Sequence, residues 1–163
     1  YPNLPTINGV MQAPGEQFAA ADASHSADDA SATLSLDIAS AYPPEAGVKT
    51  WQRKVTFARG QHVQITEAFQ LSQPGAVVLN LLTPCEAVVQ SPGRVILGEK
   101  TIGTDGKSGA AEITFDRDSL IATAETVEVT DDRLKSIWGD TLIRLVLTTS
   151  GPVTEGNFTI TVS

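Results

Sequence analysis

From Thr33 onward, apolar and polar residues alternate at period two, the pattern of strands with one packed face and one wet face. Leu34, Leu36 and Ile38 share one side while Ser35, Asp37 and Ala39 take the other. Between Gln52 and Ala58, Val55 and Phe57 point inward and Lys54 and Thr56 outward. Arg59-Gly60 reads as a tight connection, after which Val63, Ile65, Phe69 and Leu71 form a second apolar stripe opposite His62, Gln64, Thr66 and Gln70. Val77 to Leu82 is apolar on both faces, as suits a central strand. Val88-Val89 and Val95 to Leu97 flank a Ser91-Pro92-Gly93 turn, and Thr104 to Gly109 reads as a hairpin connection built on Asp105-Gly106. Ile113 and Phe115, then Val127 and Val129, then Ile143, Leu145 and Leu147, and finally Phe158, Ile160 and Val162 supply four further inward rows. Nine or more short strands with Gly, Pro and Asp punctuation predict an all-β fold, an antiparallel β-sandwich of two packed sheets. Leu34, Leu36, Val55, Phe57, Val63, Ile65, Ile143, Leu145 and Leu147 are its expected core. The single helical turn the pattern allows is Asp131 to Trp138, capped by Asp131 or Asp132.

Residues 1–32 differ. Gly9, Pro14 and Gly15 interrupt them, and the stretch from Ala19 to Ser31 is small and polar, so they read as an irregular or edge segment ahead of a sandwich core at 33–163. The whole 163-residue chain fits one domain on size grounds. It opens on Tyr1-Pro2-Asn3 without a start methionine and reads as a fragment of something longer.

Charge removes one class of partner. Nineteen acidic against eleven basic residues leave a net charge of −8, with no basic cluster, so nucleic acid is not an expected partner. No apolar run is long enough to span a bilayer as a helix. One cysteine, Cys85, can form no internal disulfide, and no motif for nucleophilic catalysis or phosphate binding surrounds it.

Metal chemistry is poorly supplied. Two histidines and one cysteine are few ligands for a structural zinc site, so no metal and no cofactor is expected; Asp22 and His25 are the only candidates were one present. Acidic residues able to flank a glycosidic bond exist, Glu67, Asp116, Asp118, Glu125 and Glu128 among them, but they also suit the wet faces of any sandwich. Tyr42, in a proline-rich loop, and Trp51 beside it are the aromatic candidates for contact with a sugar ring.

Several ordered blocks resemble the sandwich region of the heparinase II/III family of polysaccharide lyases. Asn3 to Gln12 is similar to that family's His-Asn-x-x-x-Ile-Asn-Gly-x-x-Gln stretch. Ser40-Ala41-Tyr42, Glu45 to Val48, the Trp51 and Arg53 pair, Arg59-Gly60, Leu81 to Glu86, Asp131 to Leu134, Trp138-Gly139 and Ile143-Arg144 continue the resemblance. It implies a C-terminal sandwich that follows an N-terminal α/α toroid, in bacterial enzymes of the periplasm or exterior that cleave uronic-acid polysaccharides by β-elimination. The toroid, which supplies the principal Tyr and one His, and an acidic polysaccharide are the partners it implies. The chain departs from the pattern at Pro2, where the family has His, and at Leu79 to Leu82, where relatives with a zinc site carry another His; Asp22 matches their Asp.

These readings assign no catalytic residue to the chain. Asn3, Asn8, Tyr42 and Trp51 are its candidate substrate contacts. The expectation is a structural or cleft-forming sandwich of a lyase, inactive alone, against two alternatives: a carbohydrate-binding module or a purely structural interaction domain. Exposed rings at Tyr42 and Trp51 would favour the module. A contiguous apolar patch near the start of the chain would favour the truncated enzyme.

Overall fold

The computed structural model describes residues 3–103 and 106–163. The alternating sequence folds as two antiparallel sheets packed together, of eight and four strands. The large sheet runs β2 (Ala21–Ala27), β3 (Ser31–Asp37), β4 (Val48–Ala58), β5 (His62–Gly75), β14 (Val153–Val162), β11 (Ala111–Phe115), β8 (Arg94–Leu97) and β7 (Ala87–Ser91). The small sheet runs β1 (Pro5–Ile7), β6 (Val77–Thr83), β13 (Thr141–Thr149) and β12 (Leu120–Glu128). A two-stranded ribbon joins β9 (Thr101–Ile102) to β10 (Gly106–Lys107), so part of the expected Thr104 to Gly109 connection is strand; Thr104 and Asp105, two of its six residues, lie outside the described residues.

Val77 to Thr83 is an interior strand, as its two apolar faces require. The helical turn is real and short: α1 (Asp132–Trp138) begins where Asp131 accepts hydrogen bonds from the backbone N–H groups of Arg133 and Leu134. The opening segment contributes both β1 and the edge strand β2. All seven residues of β2 are exposed and none is large and apolar; a register shift between Ala21 and Ser24, with Asp22 at φ 52°, breaks the edge that another chain could extend.

The core is densest around three aromatic rings. Trp51 on β4 stacks on Phe69 of β5, centroids 4.4 Å apart at 12°, and Phe69 meets Phe158 of β14 edge-on at 5.5 Å. Gly156 pairs with Phe69, and a Cβ there would come within 2.6 Å of the Phe69 ring, so the missing side chain is what lets the ring lie across the sheet.

Burial along the inner face is uneven, which corrects part of the expected core. One ladder row reads Leu34, Val55, Ile65, Ile160 and Phe115; exposure falls across it from 46% at Leu34 to 1% at Ile160. The neighbouring row starts at Phe57, 41% exposed, passes half-buried Val63 and ends at fully buried Val95. Leu34 and Phe57 are therefore not core residues, and Leu36, Val55, Val63, Ile65 and Ile143 are only half-buried, whereas Leu145 and Leu147 are fully inside. For the large-sheet residues among these the reason is width: four strands cannot cover eight, and the small sheet leaves Leu34 on β3 and Phe57 on β4 exposed.

Candidate functional site

The four candidate contact residues converge on one short segment, Asn3 to Asn8, although they come from separate parts of the chain. Asn8 and Gly9 form a two-residue reversal with φ 53° and 77°, closed by the Ile7–Val10 pair of backbone hydrogen bonds at 2.9 and 2.8 Å. The Asn8 side chain donates to the Ala46 carbonyl at 2.9 Å. Two 3-10 turns, Ala39–Ala41 and Pro44–Ala46, bring Tyr42 inward, and its hydroxyl donates to the Pro5 carbonyl at 2.7 Å. Burial, the main cause, raises the Tyr42 phenol well above its ordinary 10.0, so this group stays a donor at neutral pH.

Trp51 reaches the same segment through two charged residues. Its indole N–H donates to Glu67 Oε2 at 2.6 Å, Arg53 Nε donates to Glu67 Oε1 at 2.7 Å, and Arg53 Nη1 donates to the Asn3 carbonyl at 2.9 Å. Glu67 is 1% exposed with both oxygens engaged, and Arg53 closes on it to 2.5 Å. On the other side, Asn3 Oδ1 accepts from the Leu82 N–H at 2.6 Å, and Asn80 donates to the Leu4 carbonyl and to Thr6 Oγ1.

Thus Asn3, Asn8 and Tyr42 hold this segment directly and Trp51 only through Glu67 and Arg53; Trp51 is fully buried, while Tyr42, 6% exposed, also borders a groove of about 450 Å³ shared with Asp22, Asp37 and Lys49. Glu67, read from the sequence as a wet-face acid, is instead buried with Arg53 as its partner, and Asn80 was not singled out. Glu67 left a signal, because it falls on the inward stripe between Ile65 and Phe69, where a carboxylate has to find donors.

Beside this brace, the outward face of the small sheet carries a shallow groove of about 300 Å³ between Thr6, Met11, Asn80, Glu125 and Arg144. Arg144 Nε and Nη2 both donate to Glu125 Oε2. The groove is lined by these polar groups and by Val78 and Val146, and its Asn80, Arg144 and Glu125 side chains are bonded within the chain; Met11 is 44% exposed. Among the described residues, no three His, Cys, Asp or Glu side chains converge to hold a metal ion. Asp22 and His25 both lie on exposed β2, with His25 paired opposite Leu34. Buried Cys85 lies with Sγ 3.2 Å from Ser108 Oγ. No helix among the described residues is long and apolar enough to cross a membrane.

No protein-family model matches the chain, and no curated protein does. Solved structures do. Heparan sulfate lyase HepC from Pedobacter heparinus is similar over 88% of this chain with a TM-score of 0.62 at 14% identity. A heparinase III structure is similar over 98% of this chain, also with a TM-score of 0.62, at 9% identity. A further heparinase III gene product gives 98%, 0.61 and 15%. The chain spans 21% to 23% of the length of these proteins. In fold, it is similar to the C-terminal β-sandwich domain of heparinase III chains.

Proposed function

We propose that this chain is the C-terminal sandwich of a larger heparinase II/III-like polysaccharide lyase of the bacterial periplasm or exterior, where it forms one side of the cleft for a uronic-acid polysaccharide. The observation that carries this reading is the likeness in fold over 88% to 98% of the chain to heparinase chains of which it spans only about a fifth. The braced Asn3 segment supports it, since that stretch carries the resemblance in sequence and is held from both sheets. Its work is positional. β-Elimination needs a base near C5, a proton donor for the leaving oxygen and a partner for the carboxylate, all aligned. Tyr42 is buried with its hydroxyl committed to Pro5, and Glu67 has both oxygens bonded, so neither is presented to a substrate. The same burial of Tyr42 and Trp51 weighs against a carbohydrate-binding module built on those rings.

The test compares the full product of the encoding gene with the 163-residue chain, following the ultraviolet absorbance of unsaturated product on heparan-like, chondroitin-like and alginate-like substrates. The full protein is expected to turn over at least one of them and the chain alone none. Turnover by the isolated chain, or a gene with no large helical domain ahead of Asn3, overturns the reading.

A further inference from the structure

We propose that Asn8 is a site of spontaneous covalent modification, deamidation to aspartate and isoaspartate through the Gly9 nitrogen, and that the contacts bracing β1 hold the folded chain back from it. The chemistry needs only this turn and water, whatever protein the chain belongs to.

Of the four asparagines, Asn3 and Asn80 precede leucine, Asn157 precedes phenylalanine, and Asn8 alone precedes glycine. Glycine has no Cβ to obstruct its own nitrogen and the widest range of backbone angles, so ring closure onto that nitrogen is easiest at Asn8. The Gly9 nitrogen gives its proton to hydroxide and bonds to Asn8 Cγ. The Cγ–Nδ2 bond breaks, and Nδ2 takes a proton from water and leaves as ammonia. Water then adds to either carbonyl of the resulting cyclic imide and opens it to aspartate or isoaspartate. No oxidant or reductant is required.

The fold leaves one reactant open and commits the other. Gly9 is exposed, a Cβ there would meet nothing within 4 Å, and its N–H makes no hydrogen bond among the described residues. The Asn8 carboxamide is tied down: Nδ2 donates to the Ala46 carbonyl at 2.9 Å, and the group packs against Gly75. The Asn8 N–H donates to the Ala76 carbonyl at 2.9 Å, and Ile7 and Val10 bond each other in both directions, so the backbone of the turn is held as well. Ring closure has to bring Cγ to bonding distance of the Gly9 nitrogen and expel the same nitrogen that holds Ala46. In the folded chain it therefore waits on local opening of β1. The product cannot restore the turn, because a carboxylate has no proton to donate to Ala46. Isoaspartate in addition lengthens the main chain between Ile7 and Val10 by a methylene.

The test incubates the 163-residue chain at mildly alkaline pH, in buffer and in unfolding guanidinium chloride, and locates the mass gain of amide to acid by fragmenting the peptides. Conversion in guanidinium should fall first on Asn8, and in buffer it should be at least about tenfold slower. Tyr42→Phe removes the hydroxyl that anchors Pro5 and touches neither reacting atom. It should speed conversion in buffer at least about threefold and leave the rate in guanidinium unchanged. A thermal melt checks that this variant folds; Asn3→Ala, which releases the Leu82 end of the same segment, takes its place if it does not. Asn8→Asp, the direct product, should melt below the parent. Conversion in guanidinium that is absent, or that falls first on another asparagine, overturns the site. Equal rates in buffer and guanidinium overturn the protection by the fold, and a variant that converts in buffer no faster than the parent overturns β1 opening as the limiting step. Asn8→Asp melting with the parent overturns the claim that the product loosens the turn.

Discussion

Glu67 occupies a place in the β5 stripe where its neighbours Ile65 and Phe69 are apolar, and its charge is tolerated because Trp51 and Arg53 saturate both oxygens. Removing one partner of such a group leaves the other stranded, which typically costs about 3–5 kcal/mol, whereas replacing both partners with apolar residues is often close to neutral. Glu67→Leu is therefore expected to destabilise the chain by roughly that amount in urea unfolding. Arg53→Leu/Glu67→Leu should recover most of the loss, short of about 1–3 kcal/mol for the unpaired indole N–H of Trp51. A double variant no more stable than Glu67→Leu alone contradicts this account. The alternation in the sequence located the inward stripe but not what Glu67 does there, since its donors sit fourteen and sixteen residues away and only strand pairing brings them together. Tyr42 was only half legible: a tyrosine in a proline-rich loop reads as a loop or core anchor or as a sugar contact, and the two 3-10 turns that fold it under β1 leave no periodic trace.

Among the elements, β1 is the smallest strand of the small sheet and the most heavily anchored. Its turn depends on Asn8 at positive φ, and Asn8 lies so close to Gly75 that a Cβ at Gly75 would collide with its Oδ1. Gly75→Ala is expected to cost about 1–3 kcal/mol by overpacking. Asn8→Gly keeps the backbone conformation and removes the colliding atoms. The Asn8→Gly/Gly75→Ala double variant should then melt close to Asn8→Gly alone, a coupling that a double-mutant cycle reads directly. Strictly additive effects would place the cost of Gly75→Ala somewhere other than this contact. The capped α1 was legible because local residue types dictate it. Strand number was less so: β9, β10 and β1 are two or three residues long, too short for alternation to register.

For the whole molecule, the sequence gives the sandwich but not the unequal widths of its sheets, because an inward stripe looks the same whether or not a second layer covers it. Leu34 and Phe57 are where that matters. Carboxylates held by donors contribute to stability against acid. Asp28, Asp116 and Asp131, with ordinary values of 3.8, and Glu112, ordinarily 4.5, are all lowered by hydrogen bonds: from the Ser31 and Ala30 backbone, Ser119, Arg133 and Arg94 respectively. The unfolded chain binds protons at these groups before the folded one does, so their contribution is present above those ordinary values and lost as pH falls through the lowered ones. The melting temperature is expected to decline from about pH 5 to pH 3. An unchanged midpoint across that interval would show that these four groups have no net effect.

Asn3 is gripped by both layers at once, its carbonyl by Arg53 of the large sheet and its side chain by the Leu82 backbone of the small one. Tension arriving along the backbone at that residue is consequently divided between the sheets at its first point of contact. One branch runs through Arg53 to the buried Glu67, the other into β6, an interior strand. A load applied at Asn3 is therefore expected to reach both layers through these two hydrogen bonds, where a residue tied to one sheet would load that sheet alone.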